Sequence, residues 1–266
     1  MSSENALWRK MYRQQLNLFK IIKKSEGKLK FGRRYIISSD IGSQYFCEAK
    51  LEQQYITGKI VTDEMIQGTE GHERIIEDFE PVSVEEAWKG ILTEKSYSLA
   101  EYIFITQYKN IFLIGRPDLV FFVGGKPIIV FEHKFSNYEK DFLSRHAQAQ
   151  SYGLIMKEIG FDIKNLFYSI IVYPPKLLKN KEKVKETPFF VIQDFLQGIF
   201  LNSNDNFKRY GEIKAYLHKF DSDEAQKHID WAIEYWKGDR EVCCTESKTK
   251  CTNCEYKQEC EKLRQI

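Results

Sequence analysis

The sequence is poor in the features that assign a chain to a special class. Its 266 residues carry 40 Lys and Arg against 38 Asp and Glu, a net charge of only +2. This balance makes no case for a strongly basic nucleic-acid-binding protein or for an acidic partner. No apolar run approaches the roughly 18 residues of a membrane span, which excludes an integral membrane protein. With 42% hydrophobic and 29% charged residues, we expect one large or two small globular domains.

The N-terminal residues also lack the apolar pattern of a secretory signal peptide. Arg9, Lys10 and Arg13 interrupt the most apolar N-terminal stretch, so it has no signal-peptide core, and we expect a cytoplasmic protein. Cysteine is nearly absent until the last 24 residues, which hold five of the six; Cys47 stands alone. In a reducing compartment disulfides are rare, and clustered cysteines more often bind a metal.

Hydrophobic periodicity predicts helices, then strands, then helices again. Helices are expected near residues 4–24, 38–51, 62–79, 83–92, 139–159 and 206–237. Strands are expected over 102–107, 111–123, 127–135, 166–173 and 187–193. The lysine-rich stretch 174–186 is interpreted as a solvated loop, with a DNA-contacting loop as the alternative. This order predicts an α/β fold with a central mixed sheet flanked by helices.

Three charged residues in the central strands are candidates for a site. Glu132 and Lys134 alternate with His133, so they point to one face of their strand. Asp118 lies one hairpin earlier. Carboxylate oxygens suit Mg²⁺ or Mn²⁺, and a lysine can stabilise developing charge. An ordinary surface ion pair is the alternative, but the apolar run at 128–131 predicts a strand buried on both faces.

The hairpin that joins these strands must have a particular register. A regular two-residue turn at Gly124-Gly125 would put Asp118 and Glu132 on opposite faces of the sheet. A three-residue loop, or a bulge in one strand, would place the two carboxylates directly opposite each other. We therefore predict an odd-length loop or a bulge.

Gly115-x-x-Asp118 followed by Glu132-x-Lys134 resembles the signature of PD-(D/E)xK nucleases in their RecB-like form. The same form has a Gly-x-x-x-His pattern on an upstream helix. It also has a Gln-x-x-x-Tyr motif on the helix that follows the lysine strand. Residues 68–72 and 148–152 fit these two motifs.

The resemblance implies a restriction-endonuclease-like core, a divalent metal and catalytic roles for the motif residues. The implied metal ligands are His72, Asp118, Glu132 and the His133 carbonyl. The implied catalytic set is Asp118, Glu132, Lys134, Gln148 and Tyr152. The implied organisation is a helical region over 1–95 that carries Cys47 and His72, a nuclease core over 96–200, and C-terminal helices with a cysteine-rich tail over 201–266.

The cysteines are similar to those of the iron–sulfur branch of this superfamily. A lone cysteine upstream of the core and a C-x-x-C-x-x-x-x-x-C tail imply a structural [4Fe–4S] cluster. Its ligands would be Cys47, Cys251, Cys254 and Cys260, with Cys243 and Cys244 outside the pattern. A zinc ribbon is less natural because only one Cys-x-x-Cys pair is present.

A free-standing chain of this length is most similar to the CRISPR-associated Cas-four exonucleases. That family implies DNA trimming at single-stranded or frayed ends, with the CRISPR integrase as partner and the oligomeric state left open. Two alternatives remain, a non-catalytic DNA-binding module of the same fold and a zinc-binding assembly protein.

Overall fold

The computed structural model describes residues 3–61, 83–200 and 206–260. The helices in these ranges are α1 (Ser3–Lys24), α2 (Ser38–Phe46), α3 (Glu48–Thr57), α4 (Val84–Thr93), α5 (Leu143–Ile159), α6 (Lys181–Leu196), α7 (Ser222–Lys237) and α8 (Lys248–Thr252). The strands are β1 (Tyr35–Ile37), β2 (Ser96–Ala100), β3 (Phe104–Tyr108), β4 (Ile111–Gly115), β5 (Leu119–Val123), β6 (Lys126–Phe135), β7 (Phe167–Tyr173), β8 (Phe207–Tyr210) and β9 (Ile213–Lys219). Short 3₁₀ helices cover Lys30–Gly32 and Pro175–Lys179.

Two sheets organise the described residues, and the larger one is mixed. Its six strands follow the order β2-β5-β6-β7-β9-β8, in which β6 and β7 are parallel and the other neighbours are antiparallel. The smaller sheet has the order β1-β4-β3. The predicted central mixed sheet flanked by helices is therefore confirmed.

The larger sheet separates two hydrophobic cores because its strand residues alternate between its faces. On β6, Val130 joins the core that contains α5 and α7, whereas Ile129 and Phe131 join the core that contains α6. Among the described helices, none is long and apolar enough to span a membrane.

Helix α1 is held by its apolar stripe and by one buried amide. Trp8 and Met11 are buried in the larger core. The Gln15 side chain donates to the Ile105 carbonyl at 2.7 Å and accepts from the Ile105 amide at 2.8 Å. The amide therefore satisfies both backbone groups of one β3 residue, which would otherwise be costly to bury.

The predicted strand at 187–193 is wrong, because these residues lie within α6. The Asn180 side chain caps this helix by accepting from the Lys183 amide. Val184, Val191 and Ile192 then reach the sheet at helical spacing. The lysine-rich stretch expected to be a loop forms the Pro175–Lys179 turn and the start of α6.

The predicted helix at 206–237 is correct only in its second half, where α7 lies. Its first half is the hairpin β8–β9, in which Ile213, Ala215 and Leu217 alternate into one core. The predicted strand 111–123 also divides, since β4 belongs to the small sheet and β5 to the large one. The division falls at Pro117, which lacks an amide hydrogen for a ladder.

The helix expected from Ser38 through Leu51 is interrupted at Cys47. This residue has extended backbone angles and separates α2 from α3. The interruption places the cysteine at a junction between two helices.

Candidate active site

The hairpin between β5 and β6 contains the predicted irregularity. Its turn is the two-residue Gly124-Gly125, but the register shifts between Phe121 and Phe122. Strand β6 contributes one extra residue there, Ile128, which is the pattern of a β-bulge. The bulge alternative of the prediction is confirmed.

Beyond the bulge, Leu119 pairs with Phe131. The same register continued by one residue sets Asp118 opposite Glu132. The two carboxylates therefore share a face of the sheet, which a turn without the bulge would have prevented.

Glu132 is almost fully buried, at 1% exposure, and its carboxylate has donors at both oxygens. The Lys134 ammonium lies 2.5 Å from Oε1. Gln148 Nε2 and the Tyr152 hydroxyl donate to Oε2 at 3.0 and 3.1 Å. Burying a carboxylate is costly without such partners, so this network fixes the side chain in one orientation.

Asp118, the residue immediately before β5, completes the acidic pair. It is 8% exposed, and its Oδ2 accepts the His133 backbone amide at 2.5 Å. The His133 ring lies on the other face of the sheet, where it stacks on Tyr173 with ring centroids 5.6 Å apart. The side chain of His133 therefore faces away from the carboxylates, in agreement with an expected role for its carbonyl only.

Gln148 and Tyr152 lie one helical turn apart on α5 and contact each other at 2.9 Å. Burial raises the pKa of Tyr152 well above its usual value, and the nearby Glu132 and Asp118 raise it further. The phenol therefore stays protonated and remains a hydrogen-bond donor to Glu132.

Two glycines allow α5 to approach this closely. A Cβ on Gly115 would lie 2.9 Å from the Tyr152 ring. A Cβ on Gly42 of α2 would lie 3.0 Å from the Ser144 carbonyl and 3.1 Å from Gln148 Oε1. The glycine of the Gly-x-x-Asp motif thus leaves room for the tyrosine of the other motif.

A cleft of about 1830 Å³ opens onto Asp118, Glu132 and Lys134. It is also lined by Lys59 and Arg116 and by residues of the tail segment 252–259. Arg116 is exposed and pairs with the Glu101 carboxylate, which also lines the cleft.

The sequence reasoning missed two arginines near the carboxylates. Arg116 is part of the quoted motif but was given no role. Arg145 is buried at the start of α5, where it donates to the Lys140 carbonyl at 2.7 Å. Burial lowers the pKa of Arg145, and Glu132 partly offsets the effect. Its place at the start of a predicted helix was the one sequence feature that could have marked Arg145 as a candidate.

His72, the remaining predicted ligand, lies outside the described residues.

The four cysteines of the predicted cluster line one cavity together with Phe46 and Tyr256. They are Cys47, Cys251, Cys254 and Cys260, and Cys243 and Cys244 are not among its lining residues. The structure thus separates the six cysteines in the way that the tail pattern suggested.

Polar contacts bind the tail to α2 and α3. Glu48 is fully buried and receives two bonds from Arg240, of 2.5 and 2.8 Å, and one from the Cys243 amide at 2.6 Å. The Tyr256 hydroxyl bridges Gly58 and Ile60, donating to one carbonyl and accepting from one amide at 2.8 Å each. These contacts join the tail, which carries three of the cavity's cysteines, to the helices on either side of Cys47.

Comparison with known proteins agrees with this geometry. The family model described as the PD-(D/E)XK nuclease superfamily matches residues 36–261, and the chain belongs to that superfamily. A solved structure described as "Crystal structure of SSO0001" has 11% identity and a TM-score of 0.41, covering 97% of each chain. No curated protein matches significantly. Membership in the superfamily supports metal-dependent nuclease activity on DNA.

Proposed function

We propose that the protein is a metal-dependent deoxyribonuclease that digests single-stranded or frayed DNA ends and carries a structural [4Fe–4S] cluster. Its proposed context is the trimming of DNA for CRISPR spacer acquisition, with integrase proteins as partners. The observation that carries the nuclease proposal is the convergence of Asp118, Glu132, Lys134, Gln148 and Tyr152 at one cleft.

The donor chemistry of the cleft fits Mg²⁺ or Mn²⁺. Asp118 and Glu132 supply hard carboxylate oxygens from neighbouring strands, and His72 and the His133 carbonyl are the further proposed ligands. Such an ion, when bound, activates water and neutralises charge on the scissile phosphate.

The residues around Glu132 then have distinct proposed roles. Lys134 is partly exposed, at 31% of its side chain, so its ammonium can reach a phosphate as well as Glu132. Gln148 and Tyr152 are positioning residues, because their donors meet Glu132 rather than the open cleft. Lys59 supplies positive charge along the cleft where a phosphate backbone would pass, and the exposed Arg116 can exchange its Glu101 partner for a phosphate.

The proposed cluster is supported by the cavity that the four cysteines share. No three of the described cysteines bring their sulfur atoms within 4.8 Å of one another. Thiolates on one tetrahedral zinc lie about 3.8 Å apart, whereas cluster thiolates bind different iron atoms and are more widely spaced. The described sulfur atoms are therefore not preformed around one tetrahedral zinc ion, and the single Cys-x-x-Cys pair is the further reason to prefer the cluster.

The preference for single strands is supported by an exposed aromatic residue at the cleft. Tyr138 is 65% exposed and lines the same cleft as the carboxylates. Unpaired bases stack on such side chains without regard to sequence.

The test is a cleavage assay on end-labelled DNA with Mg²⁺ or Mn²⁺. We expect stepwise shortening of single strands by the anaerobically purified protein, and loss of cleavage in Asp118→Ala and Lys134→Ala. Visible absorbance and iron content measure the cluster independently. A chain that binds DNA but cleaves none with either metal would support the non-catalytic alternative instead.

A further inference from the structure

A second group of metal-ligating side chains lies beside α5, away from the nuclease site. Asp141 precedes this helix, His146 lies on it, and His218 lies on β9. Asp141 Oδ2 is 3.2 Å from Nε2 of each histidine. Within the ranges that the structure describes, no other three His, Cys, Asp or Glu residues bring their ligand atoms so close together.

The group is separate from the nuclease site because of helix geometry. His146 and Gln148 are two positions apart, which turns their side chains about 200° from each other around α5. Gln148 contacts Glu132, whereas the His146 ring packs edge-on against His218 with centroids 4.7 Å apart. The two sites therefore use different faces of one helix.

The spacing matches that of ligands on a single ion. Two atoms bound to one tetrahedral zinc at 2.0–2.1 Å lie about 3.3 Å apart. Both Asp141–histidine distances are close to this value. In addition, His218 Nε2 is buried and makes no hydrogen bond of acceptable geometry, although Asp141 Oδ2 is within 3.2 Å. His218 Nε2 therefore does not point directly at Asp141 Oδ2. This is the arrangement expected when both atoms are directed at one metal ion.

A second shell can orient His146 for this role. Its Nδ1 lies 2.9 Å from the Tyr168 hydroxyl, which is 3.3 Å from the Gln150 amide nitrogen. Gln150 Oε1 is buried without a hydrogen-bond partner. Turning this amide over exchanges its oxygen and nitrogen, so that Tyr168 donates to Oε1 and accepts from His146 Nδ1. That tautomer frees the Nε2 lone pair for a metal.

The surroundings favour neutral imidazole, the form that binds metals. Burial lowers the pKa of His218 and the neighbouring His146 lowers it further, which outweighs the opposite effect of Asp141 and Glu224. The Asp141 side chain is 29% exposed, which leaves an opening for water as an additional ligand.

We propose that Asp141, His146 and His218 form a binding site for one divalent transition-metal ion, for which their nitrogen and oxygen donors make zinc the best match. The ion ties the segment between β6 and α5 to β9. This segment carries Tyr138, so the metal also steadies one wall of the cleft.

The test counts zinc on the full-length, anaerobically purified protein after removal of loosely bound metal. His146→Gln and His218→Gln should each bind one equivalent fewer than the wild type. His228→Gln is the matched control, since this half-buried histidine on α7 contacts Tyr45 rather than Asp141. Glu132→Gln should keep the equivalent, which separates this site from the nuclease site.

A measurement on the wild type keeps the proposal testable should the glutamine variants fail to fold. Zinc should shift the ¹⁵N resonances of the two Nε2 atoms and fix both rings as Nδ1–H tautomers. Unchanged resonances, or folded His146→Gln and His218→Gln proteins that bind as much zinc as the wild type, would overturn the proposal.

Discussion

The carboxylate site and the cysteine cavity differ in what brings their ligands together. Asp118 and Glu132 occupy facing positions on adjacent strands, and Lys134 already contacts Glu132. The cysteines come from the two ends of the chain, with Cys47 at a helix junction and the others in a tail of little regular structure. The sheet preorganises the first site. The second depends on side-chain contacts of the tail with α2 and α3, to which a bound cluster would add its binding energy.

This difference predicts which property each site controls. Changes at the carboxylates should affect catalysis while the fold persists, and changes at the cysteines should affect stability first. The two are not fully independent, because segment 252–259 of the tail also lines the cleft onto which the carboxylates open.

The largest expected effect is on cleavage by Glu132→Ala. We expect the rate to fall roughly a thousandfold or more, since the residue acts as part of a unit with Asp118 and Lys134. Iron content should remain that of the wild type. Cleavage of labelled single-stranded DNA in Mn²⁺, with iron measured on the same sample, checks both parts. Loss of iron together with loss of activity would contradict the claim that the carboxylates affect catalysis without affecting the cysteine site.

The next largest effect is on stability, in Cys254→Ser. Loss of the cluster should lower the free energy of unfolding by several kcal/mol, and each kcal/mol is worth roughly 2–4 °C in melting temperature for a chain of this size. Cys244→Ser is the matched control and should retain both iron and stability, because its sulfur does not line the cavity. Calorimetry and iron analysis measure the outcome, and equal iron in both variants would refute the ligand assignment.

A smaller catalytic effect is expected for Tyr152→Phe. It removes one donor to Glu132 without changing the shape of the buried ring, and we expect about a tenfold loss in kcat/KM. The control is Tyr102→Phe, whose hydroxyl accepts from Trp88 Nε1 away from the cleft. Equal activities in the two variants would mean that the hydroxyl does not position Glu132.

The smallest expected effect is the pH dependence of stability in the same variant. Folding raises the pKa of Tyr152, so above about pH 10 the unfolded chain loses this proton while the folded chain keeps it. Wild-type stability should then fall with rising pH more steeply than that of Tyr152→Phe, by up to about 1.4 kcal/mol per pH unit. Urea unfolding near pH 7 and pH 11 measures the difference, and parallel curves would contradict it.

The sequence predicted the site better than it predicted the elements around it. Spacing along β6 and α5 placed Glu132 with Lys134, and Gln148 with Tyr152, since both periods are local properties of the chain. The same local reasoning mistook residues 187–193 for a strand. Residues 187–193 are a short apolar run, which on its own resembles a strand. The helix that contains them begins several residues earlier, where the Asn180 side chain caps it.

The sequence by itself determined which candidate ligands the chain offers, their alternation on each element and the need for an irregular hairpin. Only the tertiary structure decided that the irregularity is a bulge at Ile128 after a two-residue turn. It alone brought Asp141 and His146 to His218, because contacts between distant strands and helices depend on how the whole chain packs. Local periodicity carries no information about such packing, and this is why the motif residues could be predicted while the Asp141 group could not.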